Sequence, residues 1–330
     1  MDKNAYEYTI FPRKFVTYKW YKPLVVGAIT AVVTFLFQLV IMGIARLWLG
    51  SFDLIREAGQ RSSEYFYSGP GTLITVGGVA AALPSLAIAA HIVGDRPFSS
   101  YSSSRGGWNW SAFAKSLVLA VAVFGVASVG EALLLPDPAA DHVNRFSVVG
   151  LLVCLVAVFV QATAEEYLFR GLLMQAIGSW TRLPIVAILL SSLVFAVSHS
   201  YGLLGITAVL VHGLGFAFLA WYSRGLESGS CAHIVNNMSV FLCSGLGLAS
   251  SQEGGLAALI LTSVTMIVYC LATVLLDKRY GWFTSQGDGV AAFNEQHRVK
   301  AISRPSSRKT AGRKARTSST QTGARHKRSK

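Results

Sequence analysis

Charge is scarce in this sequence. Only 14% of its 330 residues are Asp, Glu, Lys or Arg, and 52% are hydrophobic; a soluble domain carries about 25% charged residues. The shortage argues against an ordinary soluble fold, and a mean hydropathy of +0.48 points to a membrane protein. Cysteine is scarce as well. Cys154, Cys231, Cys243 and Cys270 lie in or beside apolar runs, with no CxxC spacing. They read as small buried hydrophobes and indicate neither a metal motif nor an oxidising compartment. No cleavable signal peptide is evident. The first 22 residues are polar, aromatic and basic, and the apolar run after them is too long for a signal core, so it reads as a membrane helix that also targets the chain. No repeat of 20–50 residues is apparent.

Long apolar runs are abundant. A spanning helix needs about 20 mainly apolar residues. Eight candidates run over approximately 23–45, 72–94, 112–135, 147–177, 183–200, 203–222, 230–248 and 256–276. The expected fold is therefore all-α: a polytopic bundle of about eight transmembrane helices. It comprises a basic segment 1–22, a membrane domain 23–280 and a tail 285–330. An even number of spans puts both ends on one side. Lys3, Arg13, Lys14, Lys19, Lys22, Arg96, Arg105, Arg224, Lys278 and Arg279 fall on that side. The opposite connections hold Arg56, Arg61 and Arg145 with Asp53, Glu57, Glu64, Asp137, Asp141 and Glu253. The Lys/Arg bias assigns both ends to the cytoplasm of a multi-pass cell-membrane protein.

The net charge of +13 is a property of the tail. Twelve Lys or Arg and no acid lie between His297 and Lys330, and 13 − 12 leaves +1 for the body. A segment so poor in apolar residues is expected to be disordered. Its expected partner is anionic lipid rather than nucleic acid, because a basic run alone is weak evidence for the latter.

Charges inside spans are costly and usually functional. Glu131, near the end of its span, can reach the interface. Glu165 and Glu166 lie in the interior of theirs, in Gln161-Ala-Thr-Ala-Glu-Glu-Tyr-Leu-Phe-Arg170-Gly. On a helix Glu166 and Arg170 are i,i+4, the acid first, which suits an ion pair. Glu165 is rotated about 100° away and projects separately. Either Arg170 neutralises one acid and leaves the other for proton chemistry, or both acids pair with it structurally. The next span ends Phe195-Ala-Val-Ser-His199, and the seventh begins Cys231-Ala-His233-Ile-Val-Asn-Asn237, with His233 and Asn237 on one face. His212, alone in the sixth span, reads as a packing residue. A carboxylate with a histidine activates water. A histidine with an amide donates to an oxyanion.

The ordered motifs EExxxR, FxxxH and HxxxN, with Arg96-Pro97-Phe98 and later Trp108 and Trp110, resemble the CAAX-protease and bacteriocin-processing (ABI) family of membrane proteins over about residues 90–250. The resemblance implies an intramembrane endopeptidase built as about eight helices around a polar cavity. Glu165 would activate water with His199, His233 and Asn237 would stabilise the oxyanion, and Glu166 and Arg170 would support them. Peptide or membrane-protein substrates follow, cut near the cytoplasmic interface. The chain reads as bacterial, so prenyl chemistry is not expected. No cofactor is expected, although Glu165, His199 and His233 would also suit zinc. HExxH, a Gly-x-Ser-Gly element and paired intramembrane aspartates are all missing, which disfavours ordinary zincin, serine and aspartyl mechanisms. The competing readings are a non-enzymatic immunity or scaffold protein that retains the motifs, and a proton-coupled transporter. The latter has against it the lack of paired broken helices.

One geometric expectation concerns depth. Glu165 lies 15 residues before Trp180 and His199 lies 19 after it, about 22 and 28 Å of helix. His233 follows a cytoplasmic loop by only a few residues. A protruding hairpin around Trp180 is expected to reconcile the two.

Overall fold

A computed structural model describes residues 7–50, 63–134, 140–249, 255–285, 287 and 289–302. Helices α1 (Lys22–Leu49), α2 (Gly69–Val93), α3 (Trp110–Ala132), α4 (Val148–Thr181), α6 (Leu203–Ser223) and α8 (Leu256–Tyr280) are each long and apolar enough to cross a membrane. Between them lie α5 (Pro184–Val197) and α7 (Glu227–Gly245). The chain is thus a polytopic helical membrane bundle. About eight transmembrane helices are expected from the sequence; among the described residues, six helices meet the length and apolarity of a full span. Helix α5 has only 14 residues. Helix α7 is diluted by Glu227, His233, Asn236, Asn237 and four serines.

Local chemistry sets the ends. Asn109 caps α3 by accepting from Ser111 N and Ala112 N, both at 3.0 Å. Ser147 caps α4 through Gly150 N at 2.9 Å. Pro184 opens α5, where its missing N–H has no intrahelical partner to lose. Pro84 lies within α2, and the helix is interrupted three residues before it, at Ala81. A proline ring clashes with the carbonyl of residue i−4 and leaves it without a donor.

Two faces follow from the connections. One, the chain-end face, carries the first and last described stretches and the α2–α3, α4–α5 and α6–α7 connections. There Arg13 donates to the Ser179 carbonyl at 2.8 Å, Trp180 Nε1 to the Trp20 carbonyl at 2.8 Å, and Ser104 N to the Arg224 carbonyl at 3.0 Å. The α3–α4 and α7–α8 connections meet on the other face, where His142 N bonds Gly247 O and Arg145 bonds the Ser244 carbonyl. The first of these, the chain-end face, is closed. A turn of 3-10 helix over Tyr8–Lys14 packs on the end of α4, and a side chain at Gly178 would run into the Thr9 carbonyl. Arg105 pairs with Glu227 at 2.7 Å, both fully buried, and Asn109 N donates to the same carboxylate at 2.8 Å. Asn109 thus covers the start of α7 while capping α3.

Within the segment expected to be disordered, residues Val290–Ile302 form a helix, α9. Phe293 packs edge-on to Phe15 at 5.3 Å, and Asn294 accepts from Val16 N and donates to the Lys14 carbonyl. Two docking residues order a stretch whose average composition is polar. Residues 303–330, the rest of the expected disorder, lie outside the described residues. Because the named α9 contacts reach the N-terminal segment and none of the spanning helices, removing residues 290–330 is expected to leave membrane insertion and the thermal unfolding midpoint unchanged. Binding to anionic vesicles should weaken, by about 1 kcal/mol for each basic charge lost near the surface. Co-sedimentation with vesicles beside a thermal melt checks both.

Candidate active site

Glu165 and Glu166 sit halfway along α4, which continues into wider, π-helical turns over Tyr167–Met174. Such bulges are common at functional sites. The expected ion pair is present: Arg170 Nη1 lies 3.0 Å from Glu166 Oε1, and both side chains are fully buried. Arg170 Nη2 donates to the Gly213 carbonyl at 2.9 Å, and the guanidinium lies 4.5 Å from the Phe195 ring centre. These contacts are a carboxylate, a carbonyl and an aromatic face, each of which favours a positive charge.

The resemblance implies an oxyanion role for His233, and the structure sets its ring against both carboxylates of α4. Its Nδ1 hydrogen-bonds Glu166 Oε1 at 2.8 Å, and its Nε2 faces Glu165 Oε2 at 3.3 Å. Glu166 Oε1 thus serves both Arg170 and His233. The imidazole is clamped face-to-face on Phe216, with ring centres 4.7 Å apart. Asn237, one turn further along α7, donates through Nδ2 to Gln161 Oε1 at 3.2 Å and accepts from Asn236 Nδ2. Gln161 is a site residue the sequence reading missed. Its signal was its position four residues before Glu165, on the same helical face.

His199 lies at the end of α5. Its Nδ1 bonds the Phe195 carbonyl at 2.8 Å, which orients the ring and leaves Nε2 free. His199, Glu165, His233, Asn237 and Gln161 line one cleft of about 520 Å³. The structure thus brings the four expected reacting residues to a single cavity and places Glu166 and Arg170 behind it. His212, read as packing, also lines the cleft. It also stacks on Phe216 and leaves its buried Nε2 without a partner.

At the α4–α5 turn, Trp180 is exposed and donates to the Trp20 carbonyl of the N-terminal segment. The seventh helix begins beneath other elements as well, with Leu226 and Glu227 fully buried. That burial was hidden because Glu227 reads as a loop residue until Arg105 is placed beside it.

Above the carboxylates on the chain-end side, Tyr167 is stacked between Phe98, at 5.2 Å, and Trp108, at 6.2 Å. The Arg96-Pro97-Phe98 and Trp108 elements noted in the sequence thus form a lid over the site. Arg96 anchors it by bonding the Gln175 side chain and the Gly171 carbonyl and lying 3.8 Å over Tyr101.

Comparisons with known proteins bear on the same part of the chain. A Bacillus subtilis (strain 168) protein, described as uncharacterized protein YyaK, is 27% identical over 188 residues, which cover 54% of this chain and 62% of that protein. The match therefore spans less than two thirds of the relative's length. No solved structure matches. Residues 147–239, which carry Glu165, Glu166, Arg170, His199, His233 and Asn237, match the type II CAAX prenyl endopeptidase Rce1-like family, so the resemblance to the CAAX-protease and bacteriocin-processing family holds over the segment that builds the site.

Proposed function

We propose that the protein is an intramembrane endopeptidase in which Glu165 is the general base. The observation that carries this reading is the division of the two adjacent carboxylates. Glu166 sets its Oε1 against both Arg170 and His233, whereas Glu165 lines the cleft, with its Oε2 3.3 Å from His233 Nε2. Glu165 takes a proton from water as the water oxygen attacks the carbonyl carbon. The carbon–nitrogen bond breaks, and the proton passes to the leaving amine. His199, with Nε2 free, holds the water. Since both His233 nitrogens face carboxylates, the oxyanion donor is Asn237, whose amide has one N–H on Gln161 and a second to offer. His233 then fixes the spacing of the two acids. Substrates are peptides or membrane proteins. Incubating purified protein with a peptide library tests the activity: new amino termini are expected with the wild type and absent with Asn237→Leu.

We propose further that the step needs no metal ion. A zinc site wants three protein ligands at about 2.0–2.2 Å. In the geometry described, neither His233 nitrogen is free, and among the described residues no three His, Cys, Asp or Glu side chains are grouped to hold an ion. Turnover is expected to survive chelation. Elemental analysis of active protein checks this: stoichiometric zinc whose removal stops cleavage, and whose return restores it, would replace the glutamate mechanism with a metalloprotease.

A further inference from the structure

The sequence led to the expectation of cleavage near the cytoplasmic interface, but the cleft lies in the other half of the bundle. Its lining comes from the halves of the helices nearest the face opposite the chain ends: Thr75 and Val79 of α2, Gly205 of α6, Val240 and Ser244 of α7 and Thr262 of α8. Phe66, before α2, and Tyr201, in the α5–α6 turn, complete the mouth. Tyr201 is 50% exposed and Val240 58%, so among the described residues this end of the cavity is not covered.

Towards the chain ends the path is blocked. Glu166 and Arg170 are fully buried, and Tyr167 is 7% exposed between Phe98 and Trp108. The Arg105–Glu227 pair lies beyond, also buried. Opening this side would separate two ion pairs in a low-dielectric interior, and leaving either partner unpaired there is strongly unfavourable.

Charge then assigns the compartments. The closed face carries Arg13, Lys14, Lys19, Lys22, Arg182, Arg224, Lys278 and Arg279. The open face has Arg145 beside Asp141, and its sequence connections hold more acids than bases. Lys and Arg concentrate on the cytoplasmic side of membrane proteins.

We infer that the cleft admits its substrate from the face opposite the chain ends, outside the cytoplasm. Resting on the protease reading, this assigns as substrates peptide segments that emerge from the bilayer on the outer side. The aromatic and apolar mouth of Phe66, Tyr201, Val240 and Phe241 suits apolar side chains flanking the cut.

Accessibility tests the inference without relying on proteolysis. In a full-length chain with its four native cysteines changed to alanine, Tyr201→Cys, Val240→Cys and Lys278→Cys are made singly. An impermeant maleimide is applied to intact cells and to inverted vesicles. Tyr201→Cys and Val240→Cys are expected to label in intact cells, and Lys278→Cys only in inverted vesicles. Labelling of the cleft positions only from the side that labels Lys278→Cys, or no labelling of them from the other side, overturns opposite-face access. Lys278→Cys labelling in intact cells overturns the compartment. Because labelling needs no turnover, failure here is distinct from failure of the protease reading.

Discussion

Glu165→Gln is expected to lower peptide-bond hydrolysis by roughly 10²–10⁴-fold, the range for loss of a general base, or about 3–5 kcal/mol of transition-state stabilisation. Glutamine keeps the shape of the side chain and can still accept from His233 Nε2, which lies 3.3 Å from Glu165 Oε2. It is unable to take a proton from water. Glu165 makes no ion pair with Arg170, so the variant should insert normally and melt with the wild type. Initial rates beside a thermal melt in the same detergent check both halves. Near-normal turnover by a folded Glu165→Gln protein would remove the base assignment.

Arg170→Ala is expected to act first on the fold. Removing one partner of a buried pair costs about 3–5 kcal/mol, because the remaining charge is left uncompensated. Here the loss would also free the Gly213 carbonyl, which takes a 2.9 Å bond from Arg170, and empty the space between Phe195 and Phe216. Lower yield and a lower unfolding midpoint should therefore accompany lost activity. Replacing both partners, as in Glu166→Leu with Arg170→Met, is expected to destabilise less than Arg170→Ala alone, since no unpaired charge remains. Unchanged stability with lost activity in Arg170→Ala would instead put the guanidinium beside the reacting atoms.

Much of this site was legible in the sequence because its parts are local. Glu166 and Arg170 are four residues apart on one helix, and the 3.0 Å pair follows from that spacing. Glu165, His199, His233 and Asn237 stood out as polar groups in apolar runs, and they do share a cavity. What sequence did not give was partnership between helices. His233 reads naturally with Asn237, its i+4 neighbour, yet its nitrogens meet carboxylates of α4. Glu227 and Arg105 are 122 residues apart, and neither lies in an apolar run. Their buried pairing depends on how the α2–α3 connection folds over α7.

The most direct test of the central claim is mass spectrometry of a peptide cleaved by the purified full-length protein in water enriched in heavy oxygen. Wild-type protein is expected to release two fragments, with heavy oxygen in the new carboxyl terminus, and matched folded Glu165→Gln protein to release almost none. No cleavage of any peptide by the folded wild type, or equal cleavage and labelling by both proteins, would contradict hydrolysis by a water that Glu165 activates.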